Sequence, residues 1–101
     1  MDNRQRKRLK AIGQRLKPVV TVAARGLAEG VLAELERALA DHELIKVRLA
    51  IGDRDERAAL TRELCARLGA ECVQAVGRTI LLYRAAPHPD PRLSNLLRPL
   101  P

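Results

Sequence analysis

Apolar side chains recur at a helical spacing in three parts of the chain. In residues 27–40 they repeat every four positions, while glutamates occupy the other faces, which predicts an amphipathic helix. Residues 4–14 and 54–68 show the same three-to-four-residue spacing. Asp53, with Glu56 three residues later, resembles a capping box at the start of the last of these segments. Gly69 follows the same segment, at the position where a glycine commonly ends a helix. The pattern therefore predicts three helices.

Other segments have the composition and spacing of strands. Residues 44–51 alternate apolar and polar side chains, which predicts a strand with one apolar face. Short runs of β-forming residues at 19–23, 71–76 and 79–84 predict three further strands. Gly77-Arg78 joins the last two, and a two-residue connection that begins with glycine is typical of a II′ hairpin turn.

The seven predicted elements follow one another in the order αβαβαββ. Helices that alternate with strands favour a sheet layered with helices. We therefore expect an α/β protein, more specifically an α+β two-layer fold with a four-stranded mixed sheet. Residues 1–86 are expected to form a single domain, since a chain of 101 residues has the length of one domain.

The last fifteen residues, 87–101, have a different composition. They contain five of the six prolines of the chain, and proline removes the backbone donor that helices and sheets need. The sequence predicts a proline-rich, disordered tail. The leucines of this tail offer an alternative, in which it docks transiently on a partner protein.

Composition and charge narrow the function. Tyr83 is the one aromatic residue, and there is no Phe or Trp, which excludes binding modes that stack several bases on aromatic rings. The net charge is +7, and residues 1–26 hold eight Lys or Arg side chains against one acid. A basic excess concentrated in one segment indicates a polyanionic partner, nucleic acid before membrane.

The residue types that catalysis needs do not come together. Cys65 and Cys72 are too few and too widely spaced for a zinc site, and they predict buried or half-buried thiols in a reducing cytoplasm. His42 stands where a helix is expected to end, and Ser94 lies in the tail. No phosphate-binding glycine motif is present. We expect no enzyme activity, no cofactor and no metal. No run of about 18 apolar residues is present, so a membrane span is not expected.

The junction between the first strand and the second helix has features that would suit the binding of an anion. A helix N-terminus leaves backbone N–H groups without partners and carries a partial positive charge. Ser, Thr, Asp and Asn are missing from the cap positions after Ala23. An external anion such as a phosphate, bound by Arg25, could satisfy these groups. Alternatively, Gly26 is a simple turn residue and water satisfies the backbone N–H groups.

Four blocks of the sequence together resemble a known family. They are LKPVV at 16–20, GLAEGV at 26–31, ALADHELIKVR at 38–48 and GRTILLYR at 77–84. In this order and spacing they are similar to the bacterial YhbY family, a stand-alone CRM (chloroplast RNA splicing and ribosome maturation) domain. The family carries a GxxG motif in the loop before its second helix. Here Ala23 stands at the first glycine and Gly26 at the second.

The resemblance implies an RNA-binding protein associated with precursors of the large ribosomal subunit. It also implies a fold like that of the C-terminal domain of bacterial translation initiation factor three. We expect a cytoplasmic monomer whose partner is RNA, ribosomal RNA in particular, with no small-molecule substrate. The alternative is a protein-interaction factor that joins the ribosome through its tail. The candidate RNA-binding residues are Arg4, Lys7, Arg8, Lys10, Lys17, Ala23, Ala24, Arg25, Gly26, Lys46 and Arg48.

Overall fold

The computed structural model describes residues 1–23 and 27–100. Within these residues the chain forms three helices and four strands, in the predicted order αβαβαββ. Their bounds are α1 (Asn3–Gly13), β1 (Pro18–Ala23), α2 (Glu29–His42), β2 (Leu44–Ala50), α3 (Arg54–Leu68), β3 (Glu71–Val76) and β4 (Thr79–Tyr83).

The four strands form one mixed sheet in the order β1-β2-β4-β3. β1 runs parallel to β2, whereas β4 runs antiparallel to both β2 and β3. The parallel pair is joined through α2, as a crossover connection requires. The predicted four-stranded mixed sheet is thus confirmed. The likeness to the C-terminal domain of translation initiation factor three stays a prediction.

Helices cover both faces of the sheet. Ile45 of β2 packs in a core cluster with Leu35 of α2 and Leu64 of α3. Leu44, the residue before it, packs in a second cluster with Leu9 of α1. Because neighbouring residues of a strand point to opposite faces, α1 lies on one side and α2 with α3 on the other. The sheet therefore carries a third layer beyond the two expected.

Local signals fix several boundaries where the sequence predicts them. The side chain of Asp53 accepts hydrogen bonds from the backbone N–H groups of Asp55 and Glu56, which caps the start of α3. Gly69 ends α3 in the left-handed conformation, at a φ of 60°. Gly77 has a φ of 58° in the hairpin turn, a conformation that glycine adopts without strain. α2 begins at Glu29, two residues later than predicted.

Residues 87–100 pack against the domain, which differs from the expected disordered tail. They form two hydrogen-bonded turns rather than a helix or strand. Ser94 and Asn95 are buried, and the Asn95 side-chain amide donates to the Leu44 carbonyl oxygen at 2.7 Å. The prolines prevent regular structure, as predicted, but they do not prevent packing, because side chains supply the missing hydrogen bonds.

Glu43 joins this C-terminal segment to the corner between α2 and β2. It has a φ of 62°, the only positive φ among non-glycine residues in the described part of the chain. Its carboxylate is buried and accepts hydrogen bonds from the Ala86 backbone N–H at 2.8 Å and the Ser94 hydroxyl at 2.5 Å. Such a conformation costs free energy in a non-glycine residue, and these two bonds offset part of that cost.

Candidate functional site

The two sides of the sheet carry opposite net charge. α2 and α3, with the Asp53 cap, hold eight of the twelve acidic residues of the chain against five arginines. The opposite side, covered by α1, holds most of the predicted basic residues, and we name it the α1 side. Within the described residues, the candidates on or beside this side are Arg4, Lys7, Arg8, Lys10, Lys17, Lys46 and Arg48.

The solvent-facing surface of α1 is strongly basic. Arg4, Lys7 and Arg8 are exposed, whereas Lys10 is half-buried. One nitrogen of Arg8 donates to the Leu96 carbonyl oxygen of the C-terminal segment at 3.2 Å, so this guanidinium is partly engaged within the protein. The Asp2 side chain caps the helix by accepting from the backbone N–H of Gln5 at 2.7 Å, and α1 has no acidic residue in its first turn. α1 therefore presents positive charge to solvent.

The α1 side is only partly covered by its helix. On this face of β2, Leu44 is buried, Lys46 is half-buried and Arg48 is exposed. A groove of about 520 Å³ opens between the end of α1 and the sheet, and Lys17, Lys46 and Gln74 are among its lining residues. The positive charge of the helix thus continues across the exposed part of the sheet.

The end of β1 borders this open face. Thr21 is the register partner of Arg48, and Ala23 is the partner of Ala50. The candidates Ala24, Arg25 and Gly26 lie outside the described residues. α2 begins after Ala28, whose side chain makes no capping hydrogen bond, as the sequence predicts for this junction.

Sequence reasoning missed Arg78 and Arg98. Arg78 is exposed in the β3–β4 turn, and its carbonyl oxygen accepts from the Leu49 backbone N–H at 2.6 Å. This places it beside the strand end that carries Arg48. Its signal in the sequence was a basic residue in a hairpin turn, which by itself names no partner. Arg98 lies in the segment predicted to be disordered, so no position could be assigned to it.

The cysteines and the histidine considered above as reactive or metal-binding groups are half-buried or hydrogen-bonded within the protein. Cys65 and Cys72 are free, half-buried thiols, and burial is the largest effect that raises the pKa of each. They are poor nucleophiles at neutral pH, because the thiolate is the reactive form. His42 ends α2, and its Nδ1 donates to the Leu93 carbonyl oxygen at 2.7 Å. Across residues 1–23 and 27–100, no cluster of three side chains fit to hold a metal is found.

None of the helices in the described ranges is both long and apolar enough to cross a membrane.

The sequence model of the CRS1/YhbY (CRM) domain family matches residues 1–84. The chain belongs to the CRS1/YhbY (CRM) domain family. This confirms the family resemblance. The matched residues contain all seven elements of secondary structure and every candidate on the α1 side, whereas the buried Ser94 and Asn95 lie beyond them.

Relatives in this family span nearly the whole chain. A Pseudomonas aeruginosa protein named as a probable RNA-binding protein is 55% identical over 98 residues, which cover 97% of this chain and 94% of the relative. A Haemophilus influenzae protein named as an RNA-binding protein is 40% identical over 84 residues, which cover 83% of this chain and 85% of the relative. The solution structure of a Staphylococcus aureus protein, described as a candidate RNA-binding protein, matches with a TM-score of 0.78 at 23% identity. That match covers 100% of this chain and 99% of the other, and it shows the same fold.

Proposed function

We propose that the protein binds RNA through the α1 side of its sheet, with the phosphate backbone as the main target. The observation that carries this proposal is the separation of charge across the sheet. Positive side chains of α1 and β2 share one side, while most acids lie on the other. A surface of one sign attracts a polyanion and orients it during the encounter.

The contacts that this surface offers suit the backbone of RNA rather than its bases. Lys and Arg side chains bind phosphate oxygens with charge-assisted hydrogen bonds. Tyr83, the single aromatic residue, is half-buried beneath α1, so a platform for stacked bases is missing from the described surface. Recognition therefore depends on the shape of the RNA and the spacing of its phosphates.

The proposed RNA is ribosomal RNA in precursors of the large subunit, and the proposed role is a non-enzymatic one in ribosome assembly. The support is membership of the CRS1/YhbY (CRM) domain family, together with relatives named as RNA-binding proteins. The ribosomal role is what the family resemblance implies. We propose that the protein acts in the cytoplasm as a monomer. The junction residues Ala23, Ala24, Arg25 and Gly26 are proposed to belong to the same RNA surface.

A second candidate is a factor that joins the ribosome through protein contacts of its C-terminal segment. Leu93 and Leu97 of this segment are exposed, at 39% and 52%. They are the observation that favours it. The buried positions of Ser94 and Asn95 limit how far the segment can leave the domain to meet a partner.

Binding to structured ribosomal RNA at a series of salt concentrations tests the proposal. If four to six phosphates are neutralised, log K should fall with log salt at a slope of roughly −3 to −5. A slope near zero would contradict the phosphate-based proposal and favour protein contacts. Crosslinking in growing cells followed by sequencing would identify the partner. Recovery of large-subunit precursor RNA is expected, and recovery of unrelated RNA alone would contradict the ribosomal role.

A further inference from the structure

The C-terminal segment forms one wall of a cavity beside the start of β1. Asn95 anchors this wall twice, because its backbone N–H donates to the His42 carbonyl oxygen at 3.0 Å and its side-chain amide donates to Leu44. At the far end of the segment, an Arg15 terminal nitrogen donates to the Leu100 carbonyl oxygen at 2.6 Å. The wall is therefore fixed to the domain at both ends of the cavity.

The cavity has a volume of about 390 Å³ and a basic lining. Its polar and charged lining residues in the described chain are Arg15, Lys17, His42, Lys46, Asn95 and Arg98, and none of them is acidic. A volume of this size lies in the range of small-ligand sites. Positive side chains that converge, with no carboxylate among the lining residues that the structure describes, favour an anion, since like charges held together are stabilised by a shared counter-charge.

Two of the positive or polar groups are held in place by hydrogen bonds. The Arg98 Nε donates to the Asn95 side-chain oxygen at 2.7 Å, while its two terminal nitrogens donate to none of the described residues. The Nδ1 of His42 donates to the Leu93 carbonyl oxygen, which leaves its Nε2 for another partner. A guanidinium oriented in this way loses little conformational freedom when it meets a phosphate.

The cavity adjoins the groove on the α1 side. Lys17 and Lys46 line both spaces, together with Leu16 and Pro18. An RNA strand that follows the open face of the sheet would reach the cavity without leaving the protein surface. Lys46 lies between the groove and the cavity.

We propose that this cavity is a phosphate-binding subsite of the RNA surface. The C-terminal segment contributes Arg98, and the domain contributes Lys17 and Lys46. The proposal rests on the proposed function, because the phosphate belongs to the RNA bound on the α1 side. The group bound is an internal phosphodiester of the backbone. A terminal phosphate offers the same chemistry and is distinguished below.

The test compares two arginines of the same segment. Arg98→Gln removes the charge in the cavity, whereas Arg92→Gln removes an equal charge at a side chain that is 91% exposed and lies outside the cavity lining. Both variants and the parent are titrated against one structured RNA at several salt concentrations. Arg98→Gln is expected to bind roughly three- to tenfold more weakly, with the salt slope reduced by about one. Arg92→Gln should keep the parental slope.

Two further measurements separate a phosphate contact from a structural effect. Arg98→Lys keeps the charge and should restore the parental slope, which a purely structural role of the Asn95 contact would not do. Thermal melting of each variant confirms that it is folded. RNA bearing a 5′-monophosphate is compared with the same RNA bearing a 5′-hydroxyl. An equal effect of Arg98→Gln on both assigns an internal phosphate, and an effect confined to the first assigns a terminal one.

The outcomes distinguish this proposal from the one it rests on. One outcome would overturn the subsite and leave the RNA surface standing. In that outcome the parent binds with a steep salt dependence and Lys7→Glu weakens binding, but Arg98→Gln behaves like Arg92→Gln. If the parent itself shows no salt-dependent binding to RNA, both proposals fail together.

Discussion

Glu43 and Ser94 are 51 positions apart in the sequence, and their side chains share a hydrogen bond of 2.5 Å in a buried setting. The same hydroxyl accepts from the Leu96 backbone N–H at 3.2 Å. This pair closes the C-terminal segment onto the corner between α2 and β2. Together with the Ala86 backbone N–H, the Ser94 hydroxyl gives both oxygens of this buried carboxylate a partner.

Ser94→Ala should lower the free energy of unfolding by about 1–3 kcal/mol, because a buried carboxylate oxygen of Glu43 would lose its donor. Urea unfolding measures the change. Leu97→Ala is the matched control in the same segment, since Leu97 is 52% exposed and exposed positions usually change stability by less than about 0.5 kcal/mol. Equal stability of the two variants would show that the Glu43 contact contributes nothing.

Removal of residues 87–101 should lower the thermal midpoint by more than about 8 °C, which corresponds to over 1 kcal/mol in a domain of this size. The truncation removes the Ser94 hydroxyl from the Glu43 carboxylate and Leu96 from the cluster beneath α1. Composition alone would favour an unchanged midpoint, as for a free tail. A shift of only a degree or two would support that simpler view.

Two glycines should respond in opposite ways to alanine. A Cβ at Gly13 would lie 2.6 Å from Leu81 Cδ2, a buried side chain beneath α1, whereas a Cβ at Gly30 meets nothing within 4 Å. Gly13→Ala should destabilise by about 1 kcal/mol or more through overpacking. Gly30→Ala should stabilise by up to about 1 kcal/mol through helix propensity. Denaturant midpoints compare them directly, and a gain at both positions would contradict the close packing of α1.

Glu36 should make a small, pH-dependent contribution to stability. Its hydrogen bond from the Arg84 guanidinium, at 2.7 Å, holds the pKa of the carboxyl below its ordinary value. A lowered pKa stabilises the fold above the unfolded value, and this stabilisation is lost as pH falls through the folded value. Because the Glu36 side chain is 55% exposed, the effect should stay below about 1 kcal/mol.

Glu36→Gln therefore should be slightly less stable than the parent at pH 7, and the difference should vanish at acidic pH once the carboxyl is protonated. Glu34→Gln is the control, as an exposed glutamate of the same helix. Unfolding midpoints across the acid range measure both. A constant difference at every pH would contradict the role of the Arg84 contact.

Charge reversal should weaken RNA binding only on the α1 side. The double variant Lys7→Glu, Arg48→Glu is expected to lose about tenfold or more in affinity at fixed salt, because each lost phosphate contact weakens binding uniformly across sequences. Arg37→Glu, Arg62→Glu makes the same change in net charge on exposed positions of α2 and α3. Equal losses for the two pairs would show that net charge alone, rather than the α1 side, directs binding.

The candidate site was partly readable from the sequence. The alternation in residues 44–51 placed Lys46 and Arg48 on one face of a strand, and the structure confirms that shared face. Which helix would cover the face of Lys46 and Arg48 could not be predicted. The alternating apolar residues of β2 form a single stripe on the other face, and Leu44, which packs with Leu9 of α1, lies outside that stripe. The loop residues Ala24, Arg25 and Gly26 stay a prediction.

The sequence by itself determined which segments form helices and strands, and where several of them begin or end. These features depend on forces that act within a few residues, such as the side-chain period of α3, the Asp53 cap and the positive φ of Gly69 and Gly77. The tertiary structure alone decided the placement of α1 and the packing of residues 87–100. Those depend on partners such as Glu43 and Ser94, which lie far apart in the chain, and no local pattern encodes a contact across that distance.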